Sequence, residues 1–204
     1  MTRRSLLLAV LCAAAVSGCQ GDDTDADILD EDAVETSEDS PLFDRDFAQV
    51  CRGTAGQPAA AEYTPGAGVH SFVHLRSDGD AEFSGTMVGD FPDGWRLSFP
   101  DLADAALVLC VTRVSATPAE LCEGYEDDDT GTTWTVQTHD AAYEYEVRVA
   151  QTAEVLGSQK FEVPAGNCPM FSMYSDSDPQ PKPDYPMVGN GEVELFLQPF
   201  VTGG

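Results

Sequence analysis

The feature that most restricts the fold is a run of seven residues, 143–149, in which apolar and charged side chains alternate strictly as Tyr-Glu-Tyr-Glu-Val-Arg-Val. Successive side chains of a β-strand point to opposite faces of a sheet. Because the run repeats with a period of two, it predicts a strand with one buried face and one face in solvent.

Weaker strand signals occur along most of the remaining chain. β-Branched and aromatic residues, separated by turn-forming residues, predict strands over 69–75, 81–88, 95–99, 106–114, 132–138, 159–163 and 192–197. Corner, acidic and proline-rich loops are predicted at 102–105, 123–131 and 176–186. Ser40 and Pro41 predict the start of one short helix that ends before Gly53. About eight strands with almost no helix predict an all-β domain, a β-sandwich, with a barrel as the alternative.

Four cysteines lie within this predicted domain: Cys51, Cys110, Cys122 and Cys168. An even number in an exported domain predicts two disulfides, for which three connectivities exist. We favour Cys110–Cys122, which would link a central strand to its neighbour, together with Cys51–Cys168. Each would stabilise the fold by roughly 3 to 5 kcal/mol in the chain-entropy view. Zinc ligation is the rival, but it normally shows close cysteine pairs.

The N-terminal segment has the composition of an export signal. Arg3 and Arg4 precede an uncharged, mostly apolar stretch that is shorter than the roughly 20 residues needed to span a bilayer. Residues 16–19 read Val-Ser-Gly-Cys and resemble a bacterial lipobox, which predicts cleavage after residue 18. Cys19 would then carry a diacylglycerol with palmitate-type chains, since two chains anchor stably where one is marginal. A plain secretory signal is the alternative, and the paired arginines also resemble a twin-arginine signal.

The charge distribution divides the mature chain into a tether and a domain. The chain carries a formal net charge of −26. Residues 19–39 are acidic and hold few apolar side chains, which predicts a disordered tether ahead of a domain at 40–204. A field of this sign repels phosphate backbones and anionic lipid, so no nucleic-acid partner is expected and the acyl anchor would be the membrane contact.

The order of these features resembles a group of uncharacterised exported bacterial proteins and lipoproteins with a four-cysteine, β-rich domain. The resemblance extends over residues 51–169 and implies no activity. It rests on the segments Cys51-Arg52-Gly53, 60–66 with His70, Trp95, 104–111, Cys122 with Tyr125, and 166–169.

A second similarity is to immunoglobulin-type domains, through Asp104-x-Ala106-x-Val108-x-Cys110. In that family a tyrosine stands where this chain has Val108, and the tryptophan follows the first cysteine, whereas Trp95 precedes Cys110. These departures argue against a Cys51–Cys110 bridge. The similarity implies an Ig-like sandwich as architecture and no function.

Two sets of side chains are candidate metal ligands. Oxygen-rich loops suit calcium, and the candidates are Asp127, Asp128, Asp129, Asp176 and Asp178. Neither loop follows the EF-hand pattern, and clustered aspartates are expected by chance in so acidic a chain. His70 and His74 would share a strand face, but His139 with Asp140 is the only other histidine position, so surface or edge histidines are the simpler interpretation.

No catalytic motif is present in the sequence, which lacks a Gly-x-Ser-x-Gly elbow, a GxGxxG fingerprint and a P-loop. We therefore expect no enzymatic activity and no catalytic residues. The expected function is a monomeric, lipid-anchored binding module on the outer side of the membrane, with an unknown protein or glycan partner. A calcium-dependent or carbohydrate-binding adhesin is the second hypothesis and a hydrolase the third. A binding module predicts an exposed aromatic patch that includes Tyr174 and Tyr185.

Overall fold

The computed structural model describes residues 41–66, 68–79, 81–127 and 129–203. The predicted signal, Cys19, the acidic tether, Ser40 and Asp128 lie outside the described residues. Among the helices in these ranges, none combines the length and the apolar character needed to cross a membrane.

The described residues form one mixed sheet of six strands. The neighbouring strands run in the order β2-β1-β3-β4-β5, and β6 pairs with β4. The β1–β3 and β4–β6 pairs are parallel and the other pairs antiparallel. The strand bounds are Phe72–Asp78 (β1), Ser84–Gly85 (β2), Leu107–Glu126 (β3), Thr133–Val149 (β4), Val155–Val163 (β5) and Lys182–Asp184 (β6).

The β-rich prediction is confirmed, but the Ig-like sandwich of about eight strands is not what the described residues form. Strand β3 buries side chains on both faces, with Leu107 and Leu109 in one apolar cluster and Val108 in another. Helical segments cover these clusters where the prediction had a second sheet. The N-terminal helical segment contributes Phe47 and Val50 to the Val108 cluster. A sheet buried on both sides needs no facing sheet.

A short helix at the domain entrance is confirmed, although it begins later than predicted. A 3₁₀ turn at Asp44–Phe47 continues into α1, Ala48–Cys51. The Asp46 carboxylate accepts the N–H of Phe43 at 2.8 Å, so this acid caps the start and Pro41 stays outside. Gly53 follows with a φ of 66°, a left-handed value that glycine adopts without steric cost.

The prediction of a strand at 192–197 is wrong, because these residues lie in a helix, α2, at Asn190–Val201. The helix buries Val193, Leu197 and Val201 against the Leu107 side of the sheet, at the i, i+4, i+8 spacing of one helix face. Gly157 of β5 permits the approach, since a Cβ there would lie 2.4 Å from the Phe200 ring.

The predicted short strands around the central turn fuse into one long hairpin of β3 and β4. Strand β1 flanks β3 only as far as Arg113, and β5 flanks β4 only from Ala141 onward. Beyond these points the hairpin continues with β6 along part of its β4 edge. Three register shifts between β3 and β4 occur in this outer half, as expected where bulges bend a ribbon.

The described residues contain two disulfides, as predicted, but the favoured connectivity of Cys110–Cys122 with Cys51–Cys168 is wrong. The bonds are Cys51–Cys110 and Cys122–Cys168. The first joins α1 to β3 inside the core, the pairing that the immunoglobulin departures had argued against. Cys110 and Cys122 cannot pair because both lie on β3, a single extended strand.

Candidate functional site

Three aromatic rings stack at the outer end of the hairpin, and we call them the aromatic stack. Tyr125 of β3 and Trp134 of β4 are cross-strand partners with ring centroids 6.0 Å apart and planes 18° apart. Tyr174, in the segment after β5, stacks on Trp134 with centroids 5.4 Å apart and planes 14° apart. Trp134 stacks with both tyrosines and is only 8% exposed.

The indole of Trp134 carries an unpaired donor. Its Nε1 is buried and has no hydrogen-bond partner within the described residues. A buried donor without an acceptor destabilises a protein by about 1–3 kcal/mol. Such a group in an otherwise well-packed cluster is a feature that calls for an explanation.

Beside the stack lies the apolar loop, residues 169–174, which presents a run of large apolar side chains to solvent. Met170, Phe171 and Met173 are 100%, 81% and 79% exposed. Single exposed apolar residues are common on proteins, whereas contiguous apolar patches often mark interaction sites.

The apolar loop is fixed to the hairpin at several points. The Cys122–Cys168 disulfide holds the residue that precedes it. The Tyr125 hydroxyl donates to the Pro169 carbonyl oxygen at 2.6 Å, and the Lys182 ammonium donates to the Met173 carbonyl oxygen. Together with the Tyr174 ring contact, these bonds hold the backbone while the apolar side chains point outward.

Two open clefts adjoin the aromatic stack, and Trp134 and Tyr174 line both. The larger, about 740 Å³, is also lined by Glu126, Asp127 and Asp176. The smaller, about 530 Å³, is lined by Glu123 and Glu126. Among the described residues that line these clefts, no lysine, arginine or histidine is found.

Four of the predicted calcium ligands, Asp127, Asp129, Asp176 and Asp178, lie within the described residues. Hydrogen bonds from the Thr130 side chain and backbone lower the pKa of Asp127, whose carboxylate therefore stabilises its own turn. A hydrogen bond from Lys182 lowers the pKa of Asp178, which already has a cationic partner 3.0 Å away. Asp176 shares the larger cleft with Asp127, and Asp129 lies in the Asp127 turn. Within the described ranges no group of three or more candidate metal ligands is found.

The interpretation of His70 and His74 as surface or edge residues is wrong, because both are buried. His70 packs edge-on against Tyr63 and His74 against Phe91, with ring centroids 4.7 and 5.9 Å apart. Burial, reinforced by the positive charges of Arg96 and Arg76, lowers the pKa of His74 to about 4. Both side chains therefore belong to the core, and the lowered pKa of His74 keeps its imidazole neutral near neutral pH.

His139 and Tyr185 pack on each other and are not part of the aromatic stack. Their rings lie 4.7 Å apart, and the guanidinium carbon of Arg113 lies 3.5 Å from the centre of the Tyr185 ring. Tyr174 therefore belongs to the aromatic stack, whereas Tyr185 does not. Sequence reasoning missed Met170, Phe171 and Met173, although apolar residues directly after Cys168-Pro169 and outside any strand pattern were a usable signal.

Comparison with known proteins finds no matching family model, no similar curated protein and no similar solved structure. The site is therefore interpreted from its own chemistry.

Proposed function

We propose that this protein is a lipid-anchored, non-enzymatic binding module on the outer side of the membrane, and that the apolar loop and the aromatic stack form its docking surface. The lipobox-like segment and the apolar signal support this location at the membrane. The observation that carries the binding role is the set of three exposed apolar side chains on a loop whose backbone is fixed by a disulfide and by hydrogen bonds.

A fixed apolar surface favours binding for two reasons. Covering Met170, Phe171 and Met173 would remove apolar area from water, which contributes roughly 25 cal/mol per Å² before the losses of association. A preorganised loop also loses little conformational entropy when a partner binds. By contrast, the Asp127 carboxylate in the larger cleft has a lowered pKa and remains ionised near neutral pH, which does not suit a general acid.

The proposed lipid anchor is tested by substituting the predicted lipid attachment site. Cys19→Ser should abolish incorporation of labelled palmitate and release the protein from the membrane fraction. Cys12→Ser is the matched control, since Cys12 lies inside the predicted signal and should leave both readouts unchanged. Labelling that persists in Cys19→Ser would contradict the lipid anchor.

The docking surface is tested by photo-cross-linking in intact cells. A photoreactive amino acid at position 171 should yield a discrete adduct that disappears when Met170 and Met173 are changed to serine. The control position is Leu195, which is 71% exposed on α2 and outside the loop. Adducts that are equal from positions 171 and 195, or absent from 171, would rule out this surface.

A glycan-binding adhesin is the second candidate, and the larger cleft is the observation that favours it. Tyr174 lines this cleft together with Thr130, Thr132 and Ser175, a mixture of an aromatic residue and hydrogen-bonding residues that suits a sugar. Tyr174→Ala should then abolish retention on a glycan array, whereas Met170→Ser should not. Equal loss in both variants would favour the apolar docking surface.

A further inference from the structure

We infer that the docking surface takes a positively charged peptide segment of a partner protein, one that carries apolar side chains as well as lysine or arginine. The inference rests on the proposed function and adds the chemistry of the partner. It combines the apolar loop with the charge of the clefts beside it.

The charge around the docking surface has one sign. Four exposed carboxylates line the clefts: Glu123, Glu126, Asp127 and Asp176. The nearby Lys182 does not offset them, because its ammonium is paired with Asp178 and with the Met173 carbonyl oxygen. A ligand that covers the apolar loop therefore meets the negative charge of the adjoining clefts, which favours a cationic ligand.

The same field disfavours the other polymers that a membrane-anchored protein meets. Residues 20–39 of this chain hold ten acidic residues and no basic one, so this segment lacks the positive charge that the surface would attract. A second copy brings the same negative charge, and nucleic acids and anionic lipids are repelled for the same reason. A basic, apolar protein segment has both properties that the surface complements.

The exposed methionines also suit a peptide in preference to a simple cation. Met170 and Met173 are unbranched and adapt to irregular apolar surfaces, as methionines do where peptides dock. A bare metal ion would not use this apolar surface.

The test measures binding of the purified, exported protein to dye-labelled synthetic peptides. One peptide combines lysine with leucine and phenylalanine, a second replaces each lysine by glutamate, and a third replaces each apolar residue by serine. The first should bind at least about tenfold more tightly than the others, and its affinity should fall by a similar factor between about 50 and about 500 mM sodium chloride.

Two sets of variants separate the apolar and the electrostatic contributions. Met170→Ser with Phe171→Ser should weaken binding about tenfold and leave the salt dependence in place. Glu123→Gln, Glu126→Gln and Asp176→Asn together should remove most of the salt dependence. The control with the same change in charge is Glu144→Gln, Glu192→Gln and Glu194→Gln, none of which lines the clefts.

Equal binding of the lysine and glutamate peptides, or no binding of the lysine peptide, would overturn the charge preference. A cross-link from position 171 that persisted in that case would show that the docking surface itself stands. Binding to phosphatidylcholine vesicles as strong as to the lysine peptide would assign the apolar loop to lipid and overturn the inference. Loss of both the cross-link and the peptide binding would remove the proposed function as well.

Discussion

At the scale of single residues, His74 shows how far the surroundings change the chemistry of a side chain. It lies on β1, is buried against Phe91, and interacts electrostatically with the positive charges of Arg96 and Arg76. Protonation would place a third positive charge in this apolar setting, so burial and the arginines together lower its pKa from 6.5 to about 4. A backbone hydrogen bond at Val88 opposes this only in part.

The shift predicts a loss of stability in mild acid. The pKa of His74 is lower in the folded state than in the unfolded state. As pH falls from 6.5 to about 4, His74 therefore becomes protonated in the unfolded state but stays neutral in the folded state. The free energy of unfolding should therefore decrease by up to about 3 kcal/mol through this group. In His74→Phe this part of the decrease should disappear in urea titrations at pH 6.5 and 4.5. His139→Phe, on the outer hairpin, is the control and should retain it. The same pH dependence in His74→Phe as in the native protein would contradict the assignment.

At the scale of elements, the sequence predicted strands best where one face is buried and least well where a segment serves two patterns. The alternating run at 143–149 lies in β4 as predicted. Residues 192–197 read as Glu-Val-Glu-Leu-Phe-Leu, which fits a period of two and also places Val193 and Leu197 four apart, so local pattern alone could not decide. Tertiary packing selects the helix, because α2 covers the apolar face of β3 and β4.

This choice of element makes opposite predictions for two leucines. A strand would bury Leu195 and Leu197 on one face, whereas the helix exposes Leu195 and buries Leu197. Leu197→Ala should lower the free energy of unfolding by about 2–5 kcal/mol, while Leu195→Ala should change it by less than about 0.5 kcal/mol. Urea denaturation measures both. Similar losses in the two variants would favour the strand.

The candidate site was harder to predict than the sheet because it depends on contacts between distant segments. Tyr125, Trp134 and Tyr174 come from three parts of the chain and meet only through the hairpin register and the Cys122–Cys168 bond. The favoured disulfide connectivity failed because it assumed that β3 ends near Val114, whereas the strand continues to Glu126. No local signal in the sequence marks that continuation.

The Cys122–Cys168 bond should matter more for the docking surface than for the sheet. Cys122→Ala with Cys168→Ala removes a cross-link between residues 46 apart and so raises the conformational entropy of the unfolded chain. In the chain-entropy model this lowers the free energy of unfolding by roughly 4 kcal/mol. Hydrogen exchange in residues 169–174 should then accelerate more than in β1 and the inner half of β3. Removing Cys51–Cys110 instead should accelerate exchange in that core, because this bond joins α1 to β3. The reverse pattern would show that the apolar loop is held by other contacts.

At the scale of the whole molecule, negative charge is in excess and largely uncompensated. Residues 51–204 hold 24 acidic and 7 basic residues, a difference of −17. Six of those seven basic side chains already lie in ion pairs: Arg52, Arg76, Arg113, Arg148, Lys160 and Lys182. The seventh, Arg96, donates to the carbonyl oxygens of Met87 and Gly89. Folding therefore concentrates carboxylates for which few cations remain.

Self-repulsion of this kind predicts that sodium chloride stabilises the fold. Raising the salt from about 50 mM to about 1 M shortens the Debye length from more than 10 Å to about 3 Å, so repulsion between exposed carboxylates falls sharply. We expect a stabilisation on the order of 1 kcal/mol, equivalent to a rise in Tm of about 2–4 °C.

The thermal melt that measures this rise is run in EDTA and repeated with calcium at constant ionic strength. Potassium chloride should reproduce the rise, since screening depends on ionic strength and not on the identity of the cation. A further rise with calcium alone would show that the aspartate loops bind the ion, and a flat response to sodium chloride would show that the excess charge does not limit stability.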